Sequence, residues 1–301
     1  MIFFQQLMNG LTLGSVYAII ALGYTMVYGI LELINFAHGE VYMLGAYLGI
    51  IFLAVLTAWG VTAVSLPLAL LLTLLLSIIV CSAYGLTIER VAYRPLRNAP
   101  RLSPLISAIG ISIFLQNYVM LTQGATDMAF PVHFSDARLE IAGVDITWLQ
   151  ALILLISSLL MVGLHLFIGH TRLGKAMRAT AQDKMMASLV GIDVNSIIAL
   201  TFVIGAGLAA VAGVMVAAYY GLVNYFIGYI AGIKAFTAAV LGGIGSIRGA
   251  MLGGIVLGLV ESIGSAYISS EYKDAFAFVI LIIILMIKPS GIFGREVAEK
   301  V

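Results

Sequence analysis

The sequence predicts an all-α fold, a polytopic bundle of transmembrane helices. The 301 residues are 62% apolar and only 10% charged, and the mean hydropathy is +1.12. A soluble globular domain usually carries about 25% charged residues, so this composition does not supply enough charge to cover a water-soluble particle. The bilayer therefore has to solvate most of the chain, which is predicted to form one transmembrane domain over residues 1–301.

Nine apolar segments are long enough, or nearly so, to cross a bilayer. A helix needs roughly 20 apolar residues to span a hydrocarbon core of about 30 Å. The segments are apolar on every side, as membrane helices are expected to be. We predict nine spans, with eight or ten as alternatives; the last is short, and the two beside the glycines at 242–246 are candidate half-helices. The segments fall at about 7–30, 36–58, 61–87, 104–122, 147–169, 195–219, 222–241, 247–267 and 275–288.

The distribution of basic residues predicts the orientation of the chain. If the spans alternate, twelve of the fifteen lysines and arginines fall on one side, which is then cytoplasmic by the positive-inside rule. The loop at 123–146 carries Asp127, Asp136, Glu140 and Asp145 against Arg138, so it is predicted to face outward. This arrangement puts the N-terminus outside and the C-terminus in the cytoplasm. The twelve residues are Arg90, Arg94, Arg97, Arg101, Arg172, Lys175, Arg178, Lys184, Arg248, Lys288, Arg295 and Lys300.

The cytoplasmic loop at 171–193 provides the main argument about mechanism. An amphipathic helix in such a loop lies on the lipid surface or docks into a groove of another protein. No loop exceeds about 25 residues, far below the size of a domain, so any ATP hydrolysis has to come from a partner chain. A set of small or apolar residues falls roughly on one side of the predicted helix: Met177, Ala181, Met185, Ser188 and Ile192.

The segment at 32–40 is the most polar stretch close to membrane depth, and it contains Asn35, His38 and Glu40. Ionisable groups inside a membrane are costly and face the bundle interior or water. One interpretation is a re-entrant turn beside a substrate path. The other is a short cytoplasmic turn, with Asn35 capping the next helix and Glu40 in its first turn. The two interpretations are compatible.

Glycines spaced four residues apart predict close helix contacts, because they lie on one face and let backbones approach. The glycine-rich run at 242–254 goes further and predicts a broken helix or a tight turn between spans. Within it, Gly242, Gly243 and Gly245 are additional candidates for the substrate path. The pairs are Gly45/Gly49, Gly228/Gly232, Gly249/Gly253 and Gly254/Gly258.

Other functional classes find little support in the sequence. The net charge of +1 suggests no nucleic-acid partner, and the single cysteine, Cys81, excludes an intramolecular disulfide or a cysteine-based zinc site. Residues 38–40 lack the second histidine of a zinc-protease helix, so no catalytic site, metal or cofactor is predicted. An ion-coupled secondary transporter is a further alternative. It needs charges deep in the spans, where Glu32, Lys234 and Glu261 show no obvious pairing.

Several motifs together carry a family resemblance. They are GYTMVYG at 23–29, INFAHGE at 34–40, ERVAYRPLR at 89–97, the loop at 172–192, the glycine run at 242–254 and KPSGIFG at 288–294. With them the chain resembles, over essentially its whole length, the permease subunit of bacterial high-affinity branched-chain amino acid ABC importers, specifically the H-type partner of the two-permease system. Each motif alone is weak, but the combination is specific.

The resemblance implies a role and a set of partners. The chain is expected to form half of a pore in the bacterial inner membrane with a second, similar permease. Two ATP-binding subunits and a periplasmic substrate-binding protein complete the expected complex, and membrane lipid surrounds it. Leucine, isoleucine or valine is the expected cargo, while urea, short amides and other amino acids remain alternatives.

The resemblance also implies which residues couple transport to ATP hydrolysis. Ala187 and Gly191 match the alanine and glycine of the cytoplasmic coupling motif in ABC importer permeases, and Met185 stands where that motif usually has glutamate. The predicted coupling residues are Arg172, Lys175, Arg178, Ala187 and Gly191.

Overall fold

The computed structural model describes residues 2–97, 99–100, 102–132, 138–141 and 143–294. An apolar helix lies at each of the nine predicted spans, which confirms the all-α membrane bundle. Seven helices in the described residues are long and apolar enough to cross a membrane, whereas α10 has 16 residues and α12 has 15. The helices are α1 (Ile2–Leu31), α2 (His38–Ala58), α3 (Val61–Val64), α4 (Leu66–Ile88), α5 (Leu102–Gln123), α6 (Trp148–His170), α7 (Arg172–Gln182), α8 (Lys184–Leu189), α9 (Val194–Tyr220), α10 (Ile227–Gly242), α11 (Ile247–Tyr267) and α12 (Lys273–Ile287).

Short elements complete the fold. Helix α4 continues through a π-helical turn (Glu89–Tyr93) and a 3₁₀ turn (Arg94–Leu96). Two antiparallel strand pairs lie at the end of the bundle where α1 begins. Their backbone groups are therefore hydrogen-bonded outside the apolar layer. The pairs are β1 (Met128–Ala129) with β4 (Leu222–Val223), and β2 (Arg138–Ile141) with β3 (Val144–Thr147).

Two helices form the centre of the bundle. In their most apolar stretches, 83% of the residues of α1 and 78% of those of α9 are buried, against 22% in α4 and in α5. Peripheral helices expose large apolar side chains, among them Leu71 on α4 and Phe114 on α5. Such surfaces suit contact with lipid or with another membrane protein, because water would solvate them poorly.

Small residues bring the central helices together. A Cβ added to Gly254 of α11 would overlap the backbone of Ala18 of α1, and one added to Gly258 would overlap that of Gly14. Residues further along α11 contact residues nearer the start of α1, so these helices are antiparallel. The four predicted glycine pairs all lie at helix contacts: Gly45/Gly49 against α9, Gly228/Gly232 against α2, Gly249/Gly253 against α10 and Gly254/Gly258 against α1.

The two ends of the bundle differ in charge. One end, called the basic end here, holds α7 and α8, with Arg97 hydrogen-bonded to Asn195 (2.5 Å) at the start of α9. The opposite end holds the strand pairs and the start of α1, where Gln5 Nε2 donates to the carbonyl oxygen of Asp145 at 3.0 Å. The spans therefore alternate between the ends as predicted. Arg101, Asp136, Arg295 and Lys300 lie outside the described residues.

The predicted pair of half-helices is only partly correct. Helix α10 is short, but α11 has 21 residues and is a full span. They meet in a tight turn at the basic end, where Gly243 (φ 103°) and Gly245 (φ 89°) have backbone angles that L side chains rarely adopt. Ser246 then caps α11 by accepting from Gly249 N at 3.2 Å.

Candidate functional site

Residues 32–37 connect α1 to α2 by folding back into the bundle. Helix α1 ends at Leu31, and Glu32 takes a left-handed backbone conformation (φ 57°). The ring of His38, at the start of α2, packs edge-on against Tyr24 with 4.8 Å between centroids. Because Tyr24 lies seven residues before the end of α1, α2 begins about 10 Å inside that end. The connection is therefore re-entrant.

The predicted cap of α2 is wrong. Ala37 occupies the N-cap position, and no side chain there makes a capping hydrogen bond. Asn35 is buried, and its Oδ1 accepts a hydrogen bond from the Tyr93 hydroxyl at 3.2 Å. Asn35 therefore ties the re-entrant segment to the π-helical turn after α4. Glu40 does lie in the first turn of α2, as predicted.

Glu40 is buried; one of its carboxyl oxygens is hydrogen-bonded, and the other has no hydrogen-bond partner among the described residues. Ser112 Oγ of α5 donates a hydrogen bond to Glu40 Oε1 at 3.0 Å. The second oxygen, Oε2, has no hydrogen-bond partner among the described residues. It lies against the backbone of Gly228, where an added Cβ would overlap it. A buried polar atom left without a partner is unusual and calls for an explanation, which can be functional.

A cavity of about 330 Å³ is lined in part by Ser112 and Gly228, the two residues that Glu40 contacts. It is formed by α1, the re-entrant segment, α5 and α10, and its volume falls within the usual range of ligand sites. None of the predicted path residues lines it directly. Glu40 contacts two of its lining residues, Ser112 and Gly228, and His38 packs on a third, Tyr24.

The glycines of the predicted path lie elsewhere, at the basic end. Gly242 is packed against the backbone of Gly249, and its carbonyl oxygen accepts from Phe293 N at 2.9 Å. Gly243 packs against the C-terminal segment at 291–294. Gly245 borders a cleft of about 100 Å³ between α1, α6 and α7. The predicted path residues therefore form two separate groups, and Gly242 and Gly243 contribute to helix packing.

The loop at 171–193 forms two helices. Asp183 is extended (φ −156°, ψ 111°) and caps α8 by accepting from Met186 N at 2.9 Å. The single apolar side predicted for this loop is wrong, because the break at Asp183 turns α8 relative to α7. Met177 is buried against the bundle, whereas Met185 and Ser188 are exposed.

The break leaves an exposed apolar surface on α8 and the turn after it. We call Met185, Met186, Leu189 and Val190 the α8 patch; their exposed fractions run from 60% to 75%. Ala187, between them in sequence, is buried and anchors α8 to the bundle. Gly191 follows with φ 87° and open space beside it. Exposed apolar clusters with a polar rim are typical of interaction surfaces.

The basic coupling candidates lie on α7, the helix that precedes the α8 patch in the chain. Arg172, Lys175 and Arg178 are exposed. Arg178 Nη2 donates to the carbonyl oxygen of Gly169 at 3.2 Å, which holds α7 against the end of α6. Asp193 then closes the loop as the cap of α9. The Ser196 hydroxyl (2.6 Å) and the backbone N–H groups of Asn195 and Ser196 lower the pKa of the Asp193 carboxyl below its ordinary value.

A buried ion cluster was missed by the sequence prediction. Lys234 Nζ of α10 lies 2.6 Å from Glu261 Oε1 of α11 and 2.6 Å from Asp274 Oδ1 of α12. The Tyr17 hydroxyl of α1 donates to Glu261 Oε2 at 2.9 Å. The sequence shows no obvious partner for Lys234 or Glu261, and the structure pairs them with each other. Their ionisable character inside apolar helices was the available signal, since such groups are usually paired.

Together, the alternating apolar helices, the cavity beside α5 and α10 and the exposed α8 patch fit a membrane permease. The sequence model of the family described as "Branched-chain amino acid transport system / permease component" matches residues 6–285, and the chain belongs to this family. It is 54% identical to the high-affinity branched-chain amino acid transport system permease protein LivH of Escherichia coli K12, and 56% identical to BraD of Pseudomonas aeruginosa, which carries the same description. Each alignment covers 99% of this chain and 98% of the relative.

A more distant relative extends the comparison. The probable branched-chain amino acid transport permease protein LivH of Methanocaldococcus jannaschii is 27% identical over 94% of this chain and 90% of its own length. No solved structure gives a significant match.

Proposed function

We propose that this chain is a permease subunit of an ATP-driven importer that carries branched-chain amino acids across the bacterial inner membrane, with its C-terminus in the cytoplasm. The observation that carries the proposal is the near full-length match to permeases of high-affinity branched-chain amino acid transport systems. The folding of the described residues into a bundle of apolar helices agrees with it.

The proposed partners are a second permease, two ATP-binding subunits and a periplasmic substrate-binding protein. The α8 patch is the proposed contact with an ATP-binding subunit, because binding of a partner there would remove four exposed apolar side chains from water. Arg172, Lys175 and Arg178 are exposed on the preceding helix, α7, and add charge complementarity to an acidic partner surface. Ala187 and Gly191 set the shape of this segment.

The proposed substrate path runs between this chain and the second permease. The cavity beside α5 and α10 is its central part, with Glu40, His38 and Asn35 in the re-entrant connection behind the wall. Gly245 borders a cleft at the basic end, where a substrate would leave. Gly242 and Gly243 support that end by close packing. Alternating access then follows from rocking of the two halves.

A reconstituted complex tests the proposal. Proteoliposomes containing this chain, the second permease and the ATP-binding subunits are supplied with leucine-loaded binding protein, and leucine uptake is measured with and without internal ATP. We expect uptake that requires both ATP and this chain. Uptake that persists without ATP and follows a proton gradient would contradict the proposal. Urea and short amides, supplied in place of leucine, test the alternative cargoes.

One observation favours a second candidate, an ion-coupled transporter. The Lys234–Glu261 pair provides the paired charges inside the membrane that such transporters use. Two findings weigh against this function. The pair is packed among α1, α10, α11 and α12 and does not line the central cavity. The proton-gradient arm of the same experiment decides between the two mechanisms.

A further inference from the structure

The lining of the central cavity combines few polar groups with many apolar ones. Ser112 and Gln116 lie on one face of α5, one helical turn apart, so their side chains are about 6 Å from each other. Phe36, Phe226 and Ile233 contribute apolar surface opposite and around them. A site of this kind suits a small molecule with a polar head and an apolar body.

Ser112 presents a hydrogen-bond acceptor to the cavity. Its only proton is donated to Glu40 Oε1, so the lone pairs of its oxygen remain for a donor that enters the cavity. The Glu40 carboxyl group lies directly behind it, and no cation of the described residues is paired with that group. Lys234, the lysine of α10, is held by Glu261 and Asp274.

Gln116 lines the same cavity and carries the complementary group. Its side-chain Nε2 is buried and has no hydrogen-bond partner within the described residues, although it can donate two hydrogen bonds. The Gln116 amide donor lies one helical turn from Ser112 Oγ, an acceptor with the Glu40 carboxyl group behind it. These groups match the two charged ends of an α-amino acid head group. The carboxylate of that head group accepts from an amide, while its ammonium donates to an oxygen.

From this arrangement we propose that the cavity binds the zwitterionic head group of an aliphatic α-amino acid. The α-ammonium donates to Ser112 Oγ and is stabilised by the charge of Glu40, the α-carboxylate accepts from Gln116, and the side chain packs on the apolar wall. This inference rests on the proposed function and deepens it. It assigns discrimination against urea and amides to this cavity, because neither has an ammonium to pair with the carboxylate.

The first test measures the charge of the cavity without relying on transport. Ile233→Cys places a thiol in the wall of the cavity, and the assembled complex is then labelled. The native Cys81 is buried, and labelling of the unsubstituted chain measures the background from it. We expect a cationic methanethiosulfonate to react at least about fivefold faster than an anionic one. Glu40→Gln should remove that preference, and leucine, but not urea, should slow the labelling.

The second test measures transport by complexes whose chain keeps Ile233. Glu40→Gln and Ser112→Ala should each lower ATP-dependent leucine uptake at least about tenfold while the subunits still co-purify. Ser107→Ala is the matched control on α5, since Ser107 bonds the carbonyl oxygen of Ala92 and does not line the cavity. Its uptake should stay at the parent level.

Three results would overturn the head-group site: no charge preference in labelling, a preference that survives Glu40→Gln, or normal uptake by both variants. Failure of the proposed function looks different. In that case the complex with the unsubstituted chain shows no ATP-dependent leucine uptake at all, whatever the labelling rates.

Discussion

At the scale of residues, the strongest interactions are buried charges that satisfy one another. Lys234 and Glu261 have side chains only 6% and 5% exposed, and Tyr17 and Asp274 complete their contacts. Removing one partner of such a pair leaves an uncompensated charge in a medium of low polarity. The cluster therefore fixes α10, whose first turns border the central cavity, against α1, α11 and α12.

Lys234→Ala should lower the free energy of unfolding by about 3–5 kcal/mol. Chemical denaturation of the purified complex in detergent measures it. Lys184→Ala, which alters an exposed lysine of α8, serves as the control and should change stability by no more than about 0.5 kcal/mol. The double variant Lys234→Met/Glu261→Gln should be more stable than Lys234→Ala. Equal effects of Lys234→Ala and Lys184→Ala would show that the buried pair contributes nothing.

At the scale of elements, close helix contacts depend on glycine, which has no side chain. The α1–α11 contact places Gly254 against the backbone of Ala18, so even a methyl group has no room there. Gly163 on peripheral α6 provides the matched control for Gly254, because no neighbouring heavy atom lies within 4 Å of a Cβ added there.

Gly254→Ala should destabilise the protein by about 1–3 kcal/mol through overpacking. Gly163→Ala should be neutral or stabilise it by up to about 1 kcal/mol, because alanine has the higher helix propensity. Thermal unfolding of the two variants in the same detergent compares them. A stabilising Gly254→Ala would contradict the close approach of the two helices.

The α8 patch gives a second prediction at this scale. Met185→Glu should reduce co-purification of the ATP-binding subunits at least about tenfold, since a charge would be buried at the contact. A substitution at Gly191 is a less clean test, because φ 87° strains any other residue there. Ile268→Glu, after the end of α11 at the opposite end of the bundle and equally exposed, is the control and should leave co-purification intact. Unchanged co-purification of Met185→Glu would exclude the patch as the docking surface.

At the scale of the whole molecule, the chain is, over its described residues, a bundle of apolar helices joined by short connections. Reconstituted alone, it should neither hydrolyse ATP nor accumulate leucine, because the proposed path is completed by a second permease and driven by partner subunits. Phosphate release and leucine uptake in proteoliposomes check both statements. Accumulation by the single chain would contradict the half-pore arrangement.

Much of the fold was predictable because the membrane imposes it on composition. Low charge and nine apolar segments determined the class, the positions of the main apolar helices and the alternation of loops, since every span must be long and apolar. The glycine pairs correctly marked helix contacts. The family followed from motifs spread over the chain.

The cavity and the ion cluster were decided by the tertiary structure alone. Helices that are apolar on every side carry no pattern to show which face meets which neighbour. The contact of Glu40 with Ser112 joins residues 72 positions apart, and that of Tyr17 with Glu261 joins residues 244 apart. The break at Asp183 likewise depends on how α7 and α8 pack on the bundle. The sequence by itself determined that this protein is a membrane permease, and long-range packing decided where its charges meet and where a substrate has room to bind.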